Sequence, residues 1–213
     1  MDKTLLYQCK RYMTQFVYDT VALEDSPFTL PEVQTLLDGV TVGGHTLSDQ
    51  QLVLNQKESW KYLFQLIESE QFNYSKESAC KLQGYVANEE ALEWGCFRTG
   101  GVRISGTDYR PPAFDILDSV WAEMVFEIDL IADPMKKAIV FFLQMARNQF
   151  FWDGNKRTGR LIMNGVLLSS GLSPILVPSK AKLEFNQKMV RFYNTNHSAE
   201  MIDFLTRYQI DFS

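Results

Sequence analysis

Residues 149–160 read Gln-Phe-Phe-Trp-Asp-Gly-Asn-Lys-Arg-Thr-Gly-Arg, and this short stretch joins two strongly apolar segments. Ahead of it, Met135, Ala138, Ile139, Phe142, Leu143 and Ala146 recur at helical spacing behind Asp133-Pro134, a cap followed by a first-turn proline. Val140 and Phe141 are apolar too, so the spacing predicts a central helix buried on most sides. Behind it, Leu161, Ile162, Met163, Val166, Leu167 and Leu168 predict a second buried helix that stops at Gly171. Between the two, Asp153-Gly154-Asn155 is turn chemistry: Gly accepts a positive φ, and Asp and Asn cap helices through their side-chain oxygens. Lys156, Arg157 and Arg160 then fall in the first turns of the second helix, where cations oppose the helix dipole and stability alone would favour acids. Free backbone N–H groups, a positive dipole end and basic side chains together suit a polyanion such as a phosphate chain. Asp153 beside them suits the Mg²⁺ that accompanies phosphates, because Mg²⁺ binds through one or two carboxylates plus phosphate oxygens.

The cationic cluster stands against an acidic background. The net charge is −5, which gives no support to a nucleic-acid-binding role. With 46% hydrophobic and 13% aromatic residues, the 213-residue chain has the composition of a folded globule with one substantial core. Cys9, Cys80 and Cys96 are odd in number and widely spaced, which argues for free thiols in a reducing cytoplasm and against a disulfide frame or zinc site. The first residues resemble neither a signal peptide nor a membrane span, so a cytoplasmic location is expected.

The rest of the chain reads as helical with one exception. Residues 3–19 have an amphipathic pattern, Ser26-Pro27 interrupts it, and Thr29, Pro31 and Glu32 form a helix start. Residues 40–47 read as a turn-rich link, and Ser48-Asp49 opens a long helix reaching about Glu68. Helices are also expected over 75–92, 113–128, 179–194 and 198–210. The exception is residues 96–109, where β-branched and aromatic residues broken by glycines read as a β-hairpin closed by Pro111-Pro112. The expected fold class is therefore all-α, a helical bundle around a central buried helix with one β-hairpin. A lone two-stranded ribbon is marginal by itself and leaves an open edge, which suits a docking role.

The stretch 149–160 resembles the signature of Fic (Fido) domain proteins: His, any, Phe, any, Asp or Glu, Gly, Asn, Gly or Lys, Arg, any, any, Arg. Phe151, Asp153, Gly154, Asn155, Lys156, Arg157 and Arg160 fit in place, and the hairpin is similar to that family's flap. The likeness covers nearly the whole chain, with 29–213 as the Fic domain and 1–28 as an N-terminal, inhibitory-type segment. It implies ATP and Mg²⁺ as cofactors and a protein hydroxyl as acceptor of AMP or another phosphate-containing group. Asp153 would position Mg²⁺; Gly154, Asn155 and Lys156 would form the anion-holding turn. Arg157 would take the β-phosphate side and Arg160 the γ-phosphate. Thr99, Gly100, Gly101, Val102, Arg103 and Ile104 of the flap would align a protein target by adding a strand. Many members also carry an inhibitory helix with Ser or Thr, three residues, Glu, then Gly or Asn; Thr20 and Glu24 have that spacing, followed here by Asp25. Glu24 would then pair with Arg160 and compete with phosphate for its guanidinium fork. An ordinary helix end with an exposed carboxylate is the rival reading of Glu24.

The first signature position departs from the pattern. Where the family has a His acting as general base, this chain has Gln149, whose amide orients a hydroxyl but takes no proton near neutral pH. His45 and His197 are distant in sequence. Two functions stay open at this point: a Fic enzyme with weak, altered or lost transferase activity, and a non-catalytic nucleotide-binding or regulatory module. The target, the preferred nucleotide and the oligomeric state, a homo-oligomer included, are not fixed by the sequence.

Overall fold

A computed structural model describes residues 3–212. Among these residues the chain forms ten α-helices: α1 Lys3–Arg11, α2 Met13–Leu23, α3 Leu30–Leu37, α4 Leu47–Glu68, α5 Lys76–Val86, α6 Leu117–Asp129, α7 Pro134–Asn148, α8 Asn155–Ser169, α9 Lys182–Thr195 and α10 Ala199–Thr206. The two apolar segments that flank the 149–160 stretch are α7 and α8, and they pack directly on each other. The approach is close at Gly159, where an added Cβ would stand 3.1 Å from Phe142 Cδ2 and 3.2 Å from the Phe142 carbonyl oxygen. From Arg157 to Leu168 every residue of α8 is buried, so this helix is the axis of the core. The other helices surround the pair. Phe16 of α2 stacks on Trp60 of α4 with centroids 4.5 Å apart, and Phe142 of α7 lies parallel to Phe185 of α9 at 6.2 Å.

Local chemistry sets the helix starts as the sequence indicates. Glu32 accepts hydrogen bonds from the N–H and the hydroxyl of Thr29, both at 2.7 Å, and Asp133 accepts from the Met135 N–H at 2.9 Å. The expected helix over residues 3–19 is two helices meeting at Tyr12. The helix expected over 75–92 ends at Val86 because the chain doubles back on it. Gln83 holds the return: its side-chain oxygen accepts from the Gly95 N–H at 2.6 Å and its amide donates to the Asp153 carbonyl at 3.1 Å.

The expected β-hairpin is not present. Residues 96–113 contain no paired strands, and the β-pairing seen among the described residues is an isolated bridge between Ile175 and Gln209. Arg98 is the physical reason. Its side chain is 2% exposed and donates to the carbonyls of Gln149 at 2.6 Å, Gly100 at 2.6 Å and Pro112 at 2.5 Å. A buried guanidinium thus takes the carbonyls at both ends of the loop, and the two limbs are held to Arg98 instead of to each other. The Arg98 N–H also donates to the Phe150 carbonyl at 2.9 Å. Further along, Arg147 lies 3.8 Å above the Tyr109 ring, and Thr107 hydrogen-bonds Asn194 of α9. The segment is a single covering loop pinned to α7 and α9. Replacing Arg98 with Met leaves three carbonyls without their donor; an unsatisfied buried group costs roughly 1–3 kcal/mol. Denaturant unfolding of Arg98→Met should show a loss of at least about 3 kcal/mol, whereas exposed Arg110→Met should stay near the parent.

Candidate functional site

The site is built where α7 ends and α8 begins. Gln149 terminates α7 in the left-handed region, with φ 52° and ψ 61°. Its side-chain amide donates to the Ala146 carbonyl at 2.6 Å, and its side-chain oxygen accepts from Asn155 Nδ2 at 3.1 Å. Asn155 in turn accepts from the Phe151 N–H at 2.9 Å and donates to the Phe151 carbonyl at 2.8 Å. The Asn155 side chain therefore closes the loop on itself, and what it offers a ligand is its backbone. Phe150 and Phe151 are fully buried and anchor the loop beneath Phe97, at centroid distances of 5.1 and 5.5 Å.

Gly154 is the residue before the helix, at φ 77°, and a Cβ there would lie 3.1 Å from Val86 Cγ1 and 3.2 Å from Ala87 Cβ. Both the backbone angle and the close approach of α5 call for glycine. Thr158 makes the first helical bond, N–H to the Gly154 carbonyl at 2.8 Å, so the N–H groups of Asn155, Lys156 and Arg157 are left without intrahelical acceptors. Asp153 stands at the rim with its side chain 59% exposed; one oxygen accepts from the Gly154 N–H at 2.5 Å. The donor set is one accessible carboxylate next to free N–H groups. Among the described residues no group of three or more His, Cys, Asp or Glu side chains could hold a metal alone. That arrangement fits a Mg²⁺ completed by phosphate oxygens better than a protein-only metal site.

These residues open on a cavity of about 570 Å³. Gln149, Trp152, Asp153, Gly154, Asn155, Lys156 and Arg157 line it from the motif. Arg103, Ile104 and Ser105 line it from the covering loop, Asn186, Met189, Val190 and Tyr193 from α9, and Glu24 from the end of α2. Val102, which precedes Arg103 in the chain, is not among the lining residues. Trp152 ties loop to motif: its indole N–H donates to Glu93 at 3.1 Å, Thr99 donates to the same carboxylate oxygen at 3.1 Å, and a Cβ on Gly100 would stand 2.5 Å from the indole. Gly101 has nothing near its missing side chain.

Glu24 reaches the site from far away in sequence. Arg160 donates to one carboxylate oxygen at 3.0 Å and Lys156 sits 3.2 Å from the other. The carboxylate is 19% exposed. Burial alone would raise its pKa, but the attraction of Arg160, Lys156 and Arg157 outweighs burial and holds it down at about 2. Arg160 is pulled down by burial, and Glu24 opposes that effect; starting above 12, an arginine stays charged throughout the physiological range. The exposed-carboxylate reading of Glu24 therefore does not hold. Asp25 follows at φ 64°, a left-handed position that Gly or Asn takes readily and Asp tolerates. Its carboxylate pairs with Lys182, which also donates to the Ala22 carbonyl at 2.9 Å. Thr20 does not face the main cavity. It lines a small second cavity with Asp19, Gln56, Asn164 and Arg160, which is itself not among the residues lining the main cavity.

Arg157 is 6% exposed and is held by Glu90, which accepts from Nη1 at 2.7 Å. Burial disfavours its charge, and Glu90, then Glu24 and Asp153, more than restore it, raising its pKa. Glu90, Arg98, Gln83 and Glu93 hold the motif from outside and are missed by motif reading, because none lies in the 149–160 stretch and their segments read as helix, hairpin or the link between them. His45 and His197 are not among the cavity-lining residues.

Fold and site together define an all-α protein with a cationic helix start beneath a covering loop. The Fic/DOC family model matches residues 73–167 of the chain. Protein adenylyltransferase fic-1 of Caenorhabditis elegans is 26% identical over 179 residues, which is 80% of this chain and 34% of that protein. The fic-1 protein of Caenorhabditis briggsae is 25% identical over 177 residues, with the same coverage. A solved fragment of C. elegans Fic-1 superposes with a TM-score of 0.84 at 20% identity, covering 98% of this chain and 64% of that one. A Fic-domain signaling protein from Bacteroides thetaiotaomicron gives 0.80 at 16% identity, covering 98% and 87%. Residues 73–167 thus match the Fic/DOC family model, and the chain as a whole is similar to the Fic-1 adenylyltransferases in sequence and fold. It spans about a third of the length of the curated relatives it matches, 34% of each fic-1 protein.

The depressed pKa of Glu24 has a defined sign. A carboxyl held at about 2 against an ordinary 4.5 contributes stability above the unfolded value and loses it as pH falls through the folded one. The melting temperature of the parent should exceed that of Glu24→Gln at pH 6, and the gap should close between about pH 4.5 and 2. Because Glu32 and Glu200 are also held low, the measurement is the difference between the two proteins and not the parent curve alone.

Proposed function

We propose that this chain binds a nucleotide polyphosphate with Mg²⁺ at the start of α8, and that its capacity to transfer AMP to a protein hydroxyl is weak or lost. Asn155, Lys156 and Arg157, whose N–H groups are free of helical acceptors and two of which carry cationic side chains, line one cavity large enough for a nucleotide. Asp153 would hold Mg²⁺, which when bound would neutralise phosphate charge. Arg160 joins the phosphate ligands once Glu24 leaves it. The covering loop presents the backbone of Gly101, Val102, Arg103 and Ile104, none of which is hydrogen-bonded within the described chain; a target segment could add to it as a strand, with its hydroxyl toward the phosphates. No helix among the described residues is long and apolar enough to cross a membrane.

The observation that carries the catalytic half of this reading is the state of Gln149. Its amide is tied to the Ala146 carbonyl and to Asn155, and no histidine lines the cavity. Of the two carboxylates that line it, Glu24 is engaged with Arg160 and Lys156, and Asp153 is the one this reading assigns to Mg²⁺. The proton of an incoming hydroxyl therefore has no neutral-pH acceptor at the motif position, and loss of general-base help typically costs about 10²–10⁴-fold in rate. Phosphoryl-type transfer depends mainly on positioning and charge, which leaves room for a slow reaction. The same tied Gln149 also favours a second reading, a nucleotide-responsive binding module with no transfer at all.

Incubation with labelled ATP and Mg²⁺ separates the two. Gln149→His, in a Glu24→Gly background, should give covalent label on the protein itself or on a lysate partner, with the Gln149 parent at least about 10²-fold slower. Absence of label from the His variant would count for the binding module.

A further inference from the structure

Arg157 is buried in a way that uses its guanidinium unevenly. One corner, Nη1, donates to Glu90 Oε2 at 2.7 Å and to the Val86 carbonyl at 3.2 Å. The other corner, Nη2, has only Asp153 Oδ1 at 3.5 Å, a contact too long to hold it, and this corner is on the side of Asp153, which lines the main cavity together with Arg157. Glu90 is itself held from behind. Asn55 Nδ2 donates to Glu90 Oε1 at 2.6 Å and to the Asn88 carbonyl at 2.8 Å, and Gln51 donates to Asn55 Oδ1 at 2.8 Å. The relay Gln51–Asn55–Glu90–Arg157 starts on α4, crosses the turn after α5 and ends at the motif. Asn55 is 4% exposed, and the Glu90 side chain is 17% exposed.

We infer that Glu90, braced by Asn55, is a positioning residue that fixes one corner of the Arg157 guanidinium so that its other edge is presented to the nucleotide's phosphates beyond the first. The inference rests on the nucleotide reading above. An unbraced arginine is a long, mobile side chain, and ordering it on binding opposes affinity. A braced arginine meets the phosphate already in place. Glu90 also supplies the charge that lets Arg157 stay buried when no nucleotide is bound, which a phosphate alone could not do.

The geometry makes Glu90 act on phosphate number and not on the nucleoside. The test is calorimetric titration of AMP and ADP, each with Mg²⁺, into Glu24→Gly and into Glu24→Gly/Glu90→Gln. AMP affinity should be unchanged and ADP should weaken by about tenfold, the size of one charge-assisted hydrogen bond. Equal weakening of both nucleotides, or unchanged ADP binding in a folded variant, would overturn the inference while leaving the site itself intact. Failure of Glu24→Gly to bind either nucleotide would instead overturn the nucleotide reading, and the inference with it. If Glu90→Gln melts too low for titration, Asn55→Ala keeps the Glu90 charge while removing its brace and should show the same split between ADP and AMP at smaller size; no split there would also overturn the inference.

Discussion

The charge of Arg160 is the constraint on which the site depends. It lies on the fully buried side of α8, where an uncompensated cation would cost several kcal/mol. Its counter-charge comes from Glu24, which is 136 residues away in sequence. That one contact draws the end of α2 against the start of α8, sets the position of Asp25 and its Lys182 partner, and places a carboxylate in the wall of the cavity. A phosphate and Glu24 present the same kind of group to the same fork. Closing the core and closing the site are therefore one interaction, and the carboxyl is held so far below its ordinary pKa that protonation does not release it near neutrality.

Three buried arginines organise the region, and each solves the burial problem differently. Arg160 uses Glu24, a carboxylate in the cavity wall that the proposed phosphate would replace. Arg157 uses Glu90, which sits behind it and leaves an edge free. Arg98 uses carbonyls alone, three of them, near the C-terminal end of α7, where the helix dipole favours a cation. The partners therefore differ in kind: a carboxylate in the cavity wall for Arg160, a carboxylate behind the motif for Arg157, and backbone carbonyls for Arg98. Arg98 also explains why Gln149 is so firmly placed, since its backbone is gripped by Arg98 while its side chain is gripped by Asn155.

Much of this was legible in the sequence wherever the signal was local. The caps at Thr29 and Asp133, the apolar periods of α7 and α8, and the need for Gly154 all follow from residues within a few positions of each other. Asp153, Lys156 and Arg157 of the 149–160 pattern do line one cavity, and the contact of Glu24 with Arg160 is the one that the resemblance to the family's inhibitory helix implied. The β-hairpin was not legible correctly, because β-branched residues between glycines specify extended backbone but do not say which partner takes its hydrogen bonds. Here the partner is a side chain, Arg98. Glu90 and Asn55 were invisible for the same reason: their role depends on α4, the turn after α5 and α8 meeting in space. Thr20 matched a spacing, yet its side chain lines a different cavity from Glu24.

The central claim is that the start of α8 is a polyphosphate site held shut by a carboxylate from α2. Calorimetric titration of ATP with Mg²⁺ into the parent and into Glu24→Gly tests it most directly. Tighter binding by Glu24→Gly, by about tenfold or more for release of a charge-assisted contact, is the expected result. Equal affinity in the two proteins would contradict the brake, and no binding by either would contradict the site.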